Sequence, residues 1–417
     1  MATGIKHNDR IDFPYANSAL LKAGFEKGGF LPSTANESWK YTNLISLSKI
    51  PFDTNDTNNL NLDINHLSTL DQHAASSYQI FFVNGKVVNI DEVSKMMPKD
   101  VSVSINDSNS NKIDSDNSLL NMNFKLNGDR LKINIGSKIH LTKPISLIFY
   151  TLNEGNKPIA SHPGLEIILE EEASATIIEQ HLFKSSQQHW TNTLVDVDIR
   201  KGAILKHYKL ELGTPTTWCT SYIKVLLNET SKYYSFSLLR GSKLSRNEVH
   251  SLMEGNNGEC YLHGAHLLDG DQHADTTSII SHNAPNCKSK KLYRGVLDEK
   301  SRGVAQAQVK VAQNAQKTDA EQLLRTILLS PSAEIKAKPE LEIFADDVKC
   351  SHGATSGSLD SESLFYLRSR GLSEAGAKKL LILAFMNEHF QLIDNKSIQN
   401  LMSNVVSKWL SSGKRRN

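Results

Sequence analysis

The sequence Leu341-Glu-Ile-Phe-Ala-Asp-Asp-Val-Lys-Cys350-Ser-His352-Gly-Ala-Thr-Ser-Gly357 closes a long series of short strand-like segments and precedes a helical tail. Cys350 and His352 are two residues apart, so on a strand both side chains leave the same face. A thiolate and an imidazole on one face are half of a tetrahedral metal or iron–sulfur site. The alternative interpretation is a buried small cysteine and a hydrogen-bonded histidine in a turn.

Upstream of this sequence, from about residue 130 to 350, short strand-like runs recur. The clearest are Leu131–Ile135, Leu147–Tyr150, Leu165–Leu169, Thr176–Ile178, Leu194–Ile199, Ile204–Leu210, Tyr222–Leu227 and Tyr234–Leu239. Turn-like points near Ala173, Ala203, Thr230 and Gly258 follow at intervals of roughly 27 to 30 residues, in the range of a stacked repeat. No amphipathic helix of usual length lies between them, which favours a β-helix (solenoid). A β-sandwich is the alternative, but it would favour hairpin turns, which are scarce after residue 130.

The flanking regions have clearer local signals. Asn84-Gly85 between two β-branched runs predicts a hairpin with a type I′ turn over residues 78–90. A short helix is predicted over Ser18–Ala23. In the tail, Asp360 and Ser373 are placed to cap two helices, Ser361–Arg370 and Glu374–Phe390. A third helix carries an apolar stripe made of Ile398, Leu401, Met402, Val405, Val406, Trp409 and Leu410.

The sequence therefore predicts a mainly β protein in three parts. Residues 1–75 form a helical or irregular N-terminal segment, and residues 76–358 form a β-helix core with an opening hairpin. Residues 359–417 form a C-terminal helical domain. The helix Glu374–Phe390 is apolar on all sides, so one side needs a cover from outside the tail. One face is predicted to pack against the neighbouring tail helices, and it carries Ala377, Leu380, Leu381, Ala384 and Phe385. The opposite face, with Ile382, Leu383 and Met386, is predicted to be left for a partner, and the alternative is that the end of the β-helix covers it.

Composition narrows the function classes. The formal net charge is +2, which gives no indication of a nucleic-acid or membrane-surface protein. No apolar run is long enough to span a membrane, and the N-terminus lacks the apolar core of a signal peptide. The four cysteines are widely spaced with no CxxC pair, which fits a reduced, cytoplasmic setting. No P-loop motif is present, so the chain does not itself resemble a P-loop NTPase.

Two other groups of residues could indicate a function. The first is a set of four histidines, His263, His266, His273 and His282, which could suggest a metal site. With no helix predicted there, core-packed or solvated histidines are the better interpretation. The second is the acidic run of residues 170–172, which could supply paired carboxylates for glycoside chemistry. A turn between strands explains it more simply.

A family resemblance adds to this pattern. It is carried by residues 338–355, by Gly357 and Asp360, and by Leu364-Phe-Tyr-Leu-Arg-Ser-Arg-Gly371. It extends back through residues 315–320 and 328–330, with weaker echoes at His273 with Asp275, at His282 and at Trp39-Lys-Tyr-Thr42. Over these motifs the sequence resembles the SufB/SufD family of iron–sulfur cluster assembly proteins. The form Asp-Asp-Val-Lys-Cys-Ser-His is closer to the SufD branch than to the SufB branch.

The resemblance implies a right-handed parallel β-helix flanked by helical N- and C-terminal regions. It implies that the chain is a scaffold subunit without catalytic turnover of its own. The expected partners are a SufB-like paralogue, bound through the last β-helix strands, and a SufC-like ABC-type ATPase. The chain purified alone is expected either to self-associate, as a homodimer, or to bind the SufB-like paralogue. No nucleic-acid or membrane partner is expected.

The resemblance also implies site residues. His352, with Cys350 as the secondary candidate, is expected to hold iron or a nascent iron–sulfur cluster transiently, in a site shared with the SufB-like partner. The expected contacts with the SufC-like ATPase are Leu364, Phe365, Tyr366, Arg370, Gly371, Leu383 and Met386. The alternatives are a SufB-like direct cluster holder, a carbohydrate-active β-helix enzyme, and a structural adaptor in which Cys350 and His352 are inert.

Overall fold

The computed structural model describes residues 10–11, 31–54, 77–107, 117–126, 129–153, 157–184 and 187–412. The helix predicted over residues 18–23 lies outside these ranges, as does much of the predicted N-terminal segment. The described part is mainly β, with a parallel β-solenoid of about seven turns and helices towards both ends, so the predicted fold class is confirmed.

The strands and helices follow one another as a long β region and a final helical region. The strands are β1 Arg10–Ile11, β2 Leu31–Pro32, β3 Asp53–Thr54, β4 Tyr78–Val83, β5 Lys86–Val87, β6 Val101–Asp107, β7 Asp129–Ile135, β8 Ile145–Leu152, β9 Ile159–Ser161, β10 Gly164–Leu169, β11 Ser174–Lys184, β12 His189–Ile199, β13 Ile204–Leu212, β14 Thr217–Leu227, β15 Lys232–Arg240, β16 Leu244–Met253, β17 Glu259–Leu268, β18 His273–His282, β19 Lys288–Leu297, β20 Arg302–Val311, β21 Asp319–Leu328, β22 Glu334–Ile343 and β23 Lys349–Gly357. The helices are α1 Ile45–Ser48, α2 Ile90–Met96, α3 Ser118–Leu126, α4 Ser361–Ser369, α5 Glu374–Phe390 and α6 Lys396–Ser412, with a 3₁₀ turn at Glu37–Trp39.

Successive strands alternate between two sheets, which form the two walls of the solenoid. The first sheet runs in the order β22-β20-β18-β16-β14-β12-β10-β7-β6, and the second runs β23-β21-β19-β17-β15-β13-β11-β8-β4-β5. From β10 to β21, each strand pairs in parallel with the strand two further along the chain, as β12 does with β14. Because the short strand β9 intervenes, β7 pairs with β10 and β8 pairs with β11, also in parallel. Near the start, β6 and β5 pair antiparallel with their neighbours. The opening hairpin is confirmed, with Asn84 and Gly85 both at positive φ.

The turns of the solenoid stack on one another. Residues at left-handed φ occupy one corner of successive coils, namely Glu172, Gly202, Thr230, Asn257, Asn286 and Lys317. The backbone N–H of Gly202 donates to the carbonyl of Glu229 at 2.9 Å, and the N–H of Thr230 donates to that of Asn256 at 2.8 Å. These corners adjoin all four turn points predicted from the sequence, so those predictions are confirmed. The acidic run 170–172 lies in the first of these turns.

The core of the solenoid lies between the two sheets. Alternate residues of each strand point inward, and an inward residue stacks on its register partner in the next coil, as Val195 does on Ile223. This interior cluster extends from Ile80 near the start to Ala345 near the end. Each coil stacks its interior apolar residues against those of the coils on either side. The first and last coils each lack one such neighbour, so their interior residues need other parts of this chain or of a partner to shield them from solvent.

The N-terminal segment packs on the outer face of the first sheet. Its apolar residues form one cluster with Trp190, Trp218 and Leu244 of that sheet. Trp39 lies flat against Arg246, with the guanidinium carbon 3.9 Å from a ring centroid. The Thr42 hydroxyl donates to Asp275, and lies 3.0 Å from Nε2 of His273. Residues 39–42 and the pair His273 and Asp275, which both show a weaker family resemblance, are therefore in contact with each other.

A buried ionic network underlies this contact. Arg246 is 1% exposed, and its guanidinium binds Asp275 and, at 2.8 Å, Glu248. Burial alone would raise the pKa of the Glu248 carboxyl, but Arg246 and His250 together lower it to about 2. Removal of one member therefore leaves an uncompensated charge in a site without solvent.

Asp275→Ala is expected to reduce the free energy of unfolding by about 3–5 kcal/mol, because Arg246 loses one of its two buried counter-ions. Chemical denaturation at neutral pH measures this change. Asp271→Ala is the matched control, since Asp271 makes an exposed ion pair with Lys243 and should cost about 1 kcal/mol or less. Equal effects of the two substitutions would contradict a structural role for the network.

The C-terminal helices pack on the outer face of the second sheet. Apolar residues of α5 and α6, with Met386 and Trp409 at the centre, form one cluster with Tyr208, Phe236 and Leu238 of that sheet. Asp360 and Ser373 cap α4 and α5 as predicted, accepting from backbone N–H groups at 2.7 and 3.1 Å. The apolar stripe predicted for α6 is buried along its whole length.

Candidate functional site

The last coil of the solenoid is open. Within the described part of the chain, β22 pairs only with β20 and β23 pairs only with β21. Most residues of β23 and half of those of β22 are exposed, and Phe344, just beyond β22, is 63% exposed. The C-terminal helices cover a flat outer face of the solenoid and leave this end free. A free strand edge presents unpaired N–H and C=O groups, so it is suited to pairing with another chain.

Pro339 lies on the edge strand β22, where proline is tolerated only if its nitrogen faces away from the neighbouring strand. The N–H groups of Glu334 and Phe344 donate towards β20, at 3.0 and 2.9 Å. Since N–H groups of a parallel strand point alternately to its two sides, the nitrogen of Pro339 faces the free edge. Pro339 therefore costs no hydrogen bond inside the chain, as expected for an edge strand.

Cys350 and His352 both lie on β23 and project from its inner face. Cys350 stacks on Ala320 and His352 stacks on Gln322 of β21. Cys350 is half-buried against the interior cluster, whereas His352 is exposed because no further coil lies above it. The spacing therefore places both side chains on one face, as the alternation predicts. The two side chains differ in solvent exposure, because only His352 is exposed at the open end of the solenoid.

The two candidate ligands differ in chemistry. Burial and the nearby Asp319 raise the pKa of the Cys350 thiol, so the thiolate is disfavoured at neutral pH. All four cysteines are described, and none forms a disulfide. Among the described residues, no group of three or more His, Cys, Asp or Glu side chains is arranged to hold a metal ion. Cys350 and His352 are therefore an incomplete ligand set within this chain.

The other histidines are packed into the fold. His263, His266 and His282 are buried, and burial lowers the pKa of the His263 imidazole to about 3. His263 lies on the outer face of β17 beside His389 of α5, while His266 faces inward and contacts the Thr276 hydroxyl at 2.5 Å. These positions agree with the core-packed interpretation. They share no ligand geometry.

A groove between α4 and α5 is the second exposed feature. It has a volume of about 470 Å³ and is lined by Glu362, Ser363, Tyr366, Leu367, Leu380, Leu381 and Ala384. Tyr366, 57% exposed, belongs to this lining with Leu380, and Phe365, 74% exposed, is the next residue to Tyr366 on α4. Of the other predicted ATPase contacts, Arg370 and Gly371 are exposed and Leu364 is half-buried.

The prediction that α5 turns the face of Leu380 and Ala384 inward is wrong, although Ala377 of that face is buried. Met386 is fully buried in the cluster on the second sheet, and Leu383 is half-buried against the same cluster. Leu380 and Ala384, predicted to face inward, are exposed. Met386 is therefore not available to a partner, and Leu383 is only partly so. The reason is physical, since a helix that is apolar on all sides carries no signal of which side the sheet covers.

A buried polar cluster inside the solenoid was not foreseen. The Glu179 carboxylate contacts His181 at 2.5 Å, His207 at 3.0 Å and Lys209 at 3.1 Å, and all four residues are buried. Burial opposes the charge on Glu179, but Lys209 and the histidines hold the pKa of its carboxyl well below the usual range. These residues occupy alternate positions on β11 and β13, and polar residues at alternate positions are also typical of the outward face of a strand. The sequence pattern alone therefore does not indicate that they are buried.

None of the helices described by the structure is long and apolar enough to cross a membrane.

Comparisons with known proteins identify the family of the chain. The model of the SUF system FeS cluster assembly, SufBD core domain, matches residues 150–385. The chain is 29% identical to the iron–sulfur cluster assembly protein SufD of Escherichia coli K12, over 95% of this chain and 92% of that protein. It is 28% identical to a SufBD family protein of Synechocystis, over 90% and 87%. It is 30% identical to the chloroplastic protein ABCI7 of Arabidopsis thaliana, over 67% and 60%.

The family match covers more than half of the chain. The chain therefore belongs to the SufBD family of the SUF system for iron–sulfur cluster assembly. The predicted resemblance is confirmed at this level.

Proposed function

We propose that this chain is the SufD-like scaffold subunit of a SufB–SufC–SufD-type complex. In this role it contributes His352 to an iron or nascent-cluster site at the interface with a SufB-like paralogue. The cluster is cargo that the chain holds transiently, and the partner supplies the missing ligands. The chain has no catalytic turnover of its own, and its compartment is the cytoplasm.

The observation that carries this proposal is the open last coil with His352 on it. Two free strand edges, β22 on one wall and β23 on the other, lie at the same end of the solenoid and carry residues on which the family resemblance is strongest. A paralogue with the same solenoid has complementary edges of its own, so the two can pair strand to strand. Neutral imidazole is a good ligand for iron, and an exposed histidine beside such an interface is free to share a metal.

The test is to measure iron and acid-labile sulfide in two preparations. One is the chain purified after co-expression with its SufB-like and SufC-like partners, and the other is the chain alone. Iron and sulfide in the complex, with little in the chain alone, would support a shared site. Equal amounts in both would support a SufB-like direct cluster holder. No iron in either would support an inert adaptor.

The second part of the proposal assigns the groove between α4 and α5 to the SufC-like ATPase. Its support is the exposed apolar lining of the groove, with Tyr366 and Leu380 at its surface, of the kind that marks interaction sites. The exposed Phe365, Arg370 and Gly371 lie close by in sequence, on or just after α4, and would extend the contact. Aromatic side chains in such a groove are suited to act as anchors.

Leu380→Glu is expected to abolish co-purification of the SufC-like ATPase, at a cost of about 2–4 kcal/mol of binding energy. Leu392→Glu is the matched control. Leu380 is 47% exposed and Leu392 is 45% exposed, but Leu392 follows the other end of α5 and lies outside the groove. Retention of the ATPase by Leu380→Glu, or its equal loss from both variants, would contradict docking in the groove.

A further inference from the structure

Gln322 lies directly beneath His352 in the solenoid. It belongs to β21, and the register pairs it with His352 of β23 on the inner face. Adjacent strands are about 4.8 Å apart, so the two side chains stand beside each other. Gln322 is 2% exposed, whereas His352 is exposed. Gln322 is therefore a buried polar residue directly next to His352, the proposed iron ligand, on the adjacent strand.

The amide of Gln322 is held at one end only. Its Nε2 donates to the carbonyl of Glu340, on β22 across the interior, at 3.1 Å. Its Oε1 is buried and has no hydrogen-bond partner among the described residues. A buried acceptor without a partner costs about 1–3 kcal/mol, so a donor that reaches it is favoured.

We propose that Gln322 is a positioning residue for His352. Its Oε1 accepts a hydrogen bond from Nδ1–H of the His352 ring, the ring nitrogen nearer the His352 backbone. This bond fixes the imidazole in the Nδ1–H tautomer and directs the unprotonated Nε2 to the open end, where iron would bind. Metal-binding histidines are commonly oriented in this way through their second nitrogen. The inference rests on the proposed function of His352, but the tautomer is measurable without iron.

One other donor lies close to Gln322. Lys291 is its register partner on β19, on the side away from His352, and is fully buried. The Lys291 ammonium donates to the carbonyl of Gln306 at 2.8 Å. If Lys291 turned to Gln322 instead, the tautomer of His352 would be independent of Gln322. The experiment therefore separates the two donors.

The test is to measure the His352 tautomer by ¹⁵N NMR in the full chain without metal, at a pH where imidazole is neutral. The signal is assigned from its absence in His352→Asn. The wild-type chain is expected to show the Nδ1–H tautomer, and Gln322→Leu should revert to the Nε2–H tautomer that free histidine favours in water. Gln322→Glu keeps an acceptor and should keep Nδ1–H. The control Gln313→Leu, at an exposed glutamine, should change nothing.

Two outcomes would overturn the inference. One is a wild-type spectrum dominated by Nε2–H, which needs no variant to fold. The other is an unchanged tautomer in Gln322→Leu. In the assembled complex, Gln322→Leu should lower iron affinity about 10–100-fold, with Gln322→Glu close to wild type. If His352→Ala left iron content unchanged, the proposed function would fail while the tautomer result could still stand.

Discussion

His352→Ala is expected to lower the iron and sulfide content of the assembled complex by about tenfold or more, because it removes the proposed ligand for iron. Loss of even an outer-shell partner of a metal-bound histidine typically costs about 10–100-fold in affinity. His352 is exposed, with no further coil above it, so folding and binding of the SufB-like paralogue should be unchanged. The measurement is iron and sulfide per complex after co-expression.

The matched control is His140→Ala. His140 is also exposed but lies near the start of the solenoid, where it contacts Ser174. It should leave iron and sulfide at the wild-type level. Cys350→Ser should have a smaller effect than His352→Ala, because the raised pKa of Cys350 disfavours its thiolate. Wild-type cluster content in His352→Ala would refute the assignment of His352 as a ligand.

Ala354→Pro is expected to weaken binding of the SufB-like paralogue by about 3 kcal/mol, on the order of a hundredfold. The N–H of Lys349 donates towards β21, so the alternation along β23 directs the N–H of Ala354 to the free edge. Proline at this position removes a donor and places its ring where a partner strand must approach. Calorimetric titration of the purified chain with the paralogue measures the change.

Ala354→Ser is the control at the same position, since it keeps the backbone N–H. It should bind like the wild-type chain. The hydrogen bonds between β23 and β21 do not use the N–H of Ala354, so they are retained in Ala354→Pro. Unchanged affinity in Ala354→Pro would show that the paralogue does not pair with β23.

The features that local sequence determines could be predicted well. Turns at Ala173, Ala203 and Thr230 were predictable because each combines turn-forming residues with a regular interval, and the coil geometry then follows. The caps at Asp360 and Ser373 were predictable for the same reason, since a cap depends on a few adjacent residues. The position of Cys350 and His352 on one face required only the alternation of a strand.

The features that depend on distant contacts could not be predicted. Thr42 and Asp275 are 233 residues apart in sequence, and nothing local to either indicates the other. The orientation of α5 was predicted wrongly because Met386 and Leu380 are both apolar, and only the sheet beneath them decides which is buried. The exposure of His352 depends on the solenoid ending at β23, a property of the whole chain.

The stacked corners give the solenoid a natural unit of length. Gly202 and Thr230 have the same left-handed backbone conformation and the same hydrogen-bond role in successive coils. Excision of residues 203–230 would therefore join two equivalent positions and leave every later residue on the same side of the wall. A cut that does not remove whole coils would turn interior residues outward or leave a corner without its acceptor. Relatives with shorter or longer solenoids should therefore differ by whole coils, and a protein engineer could adjust the reach of this scaffold in the same discrete steps.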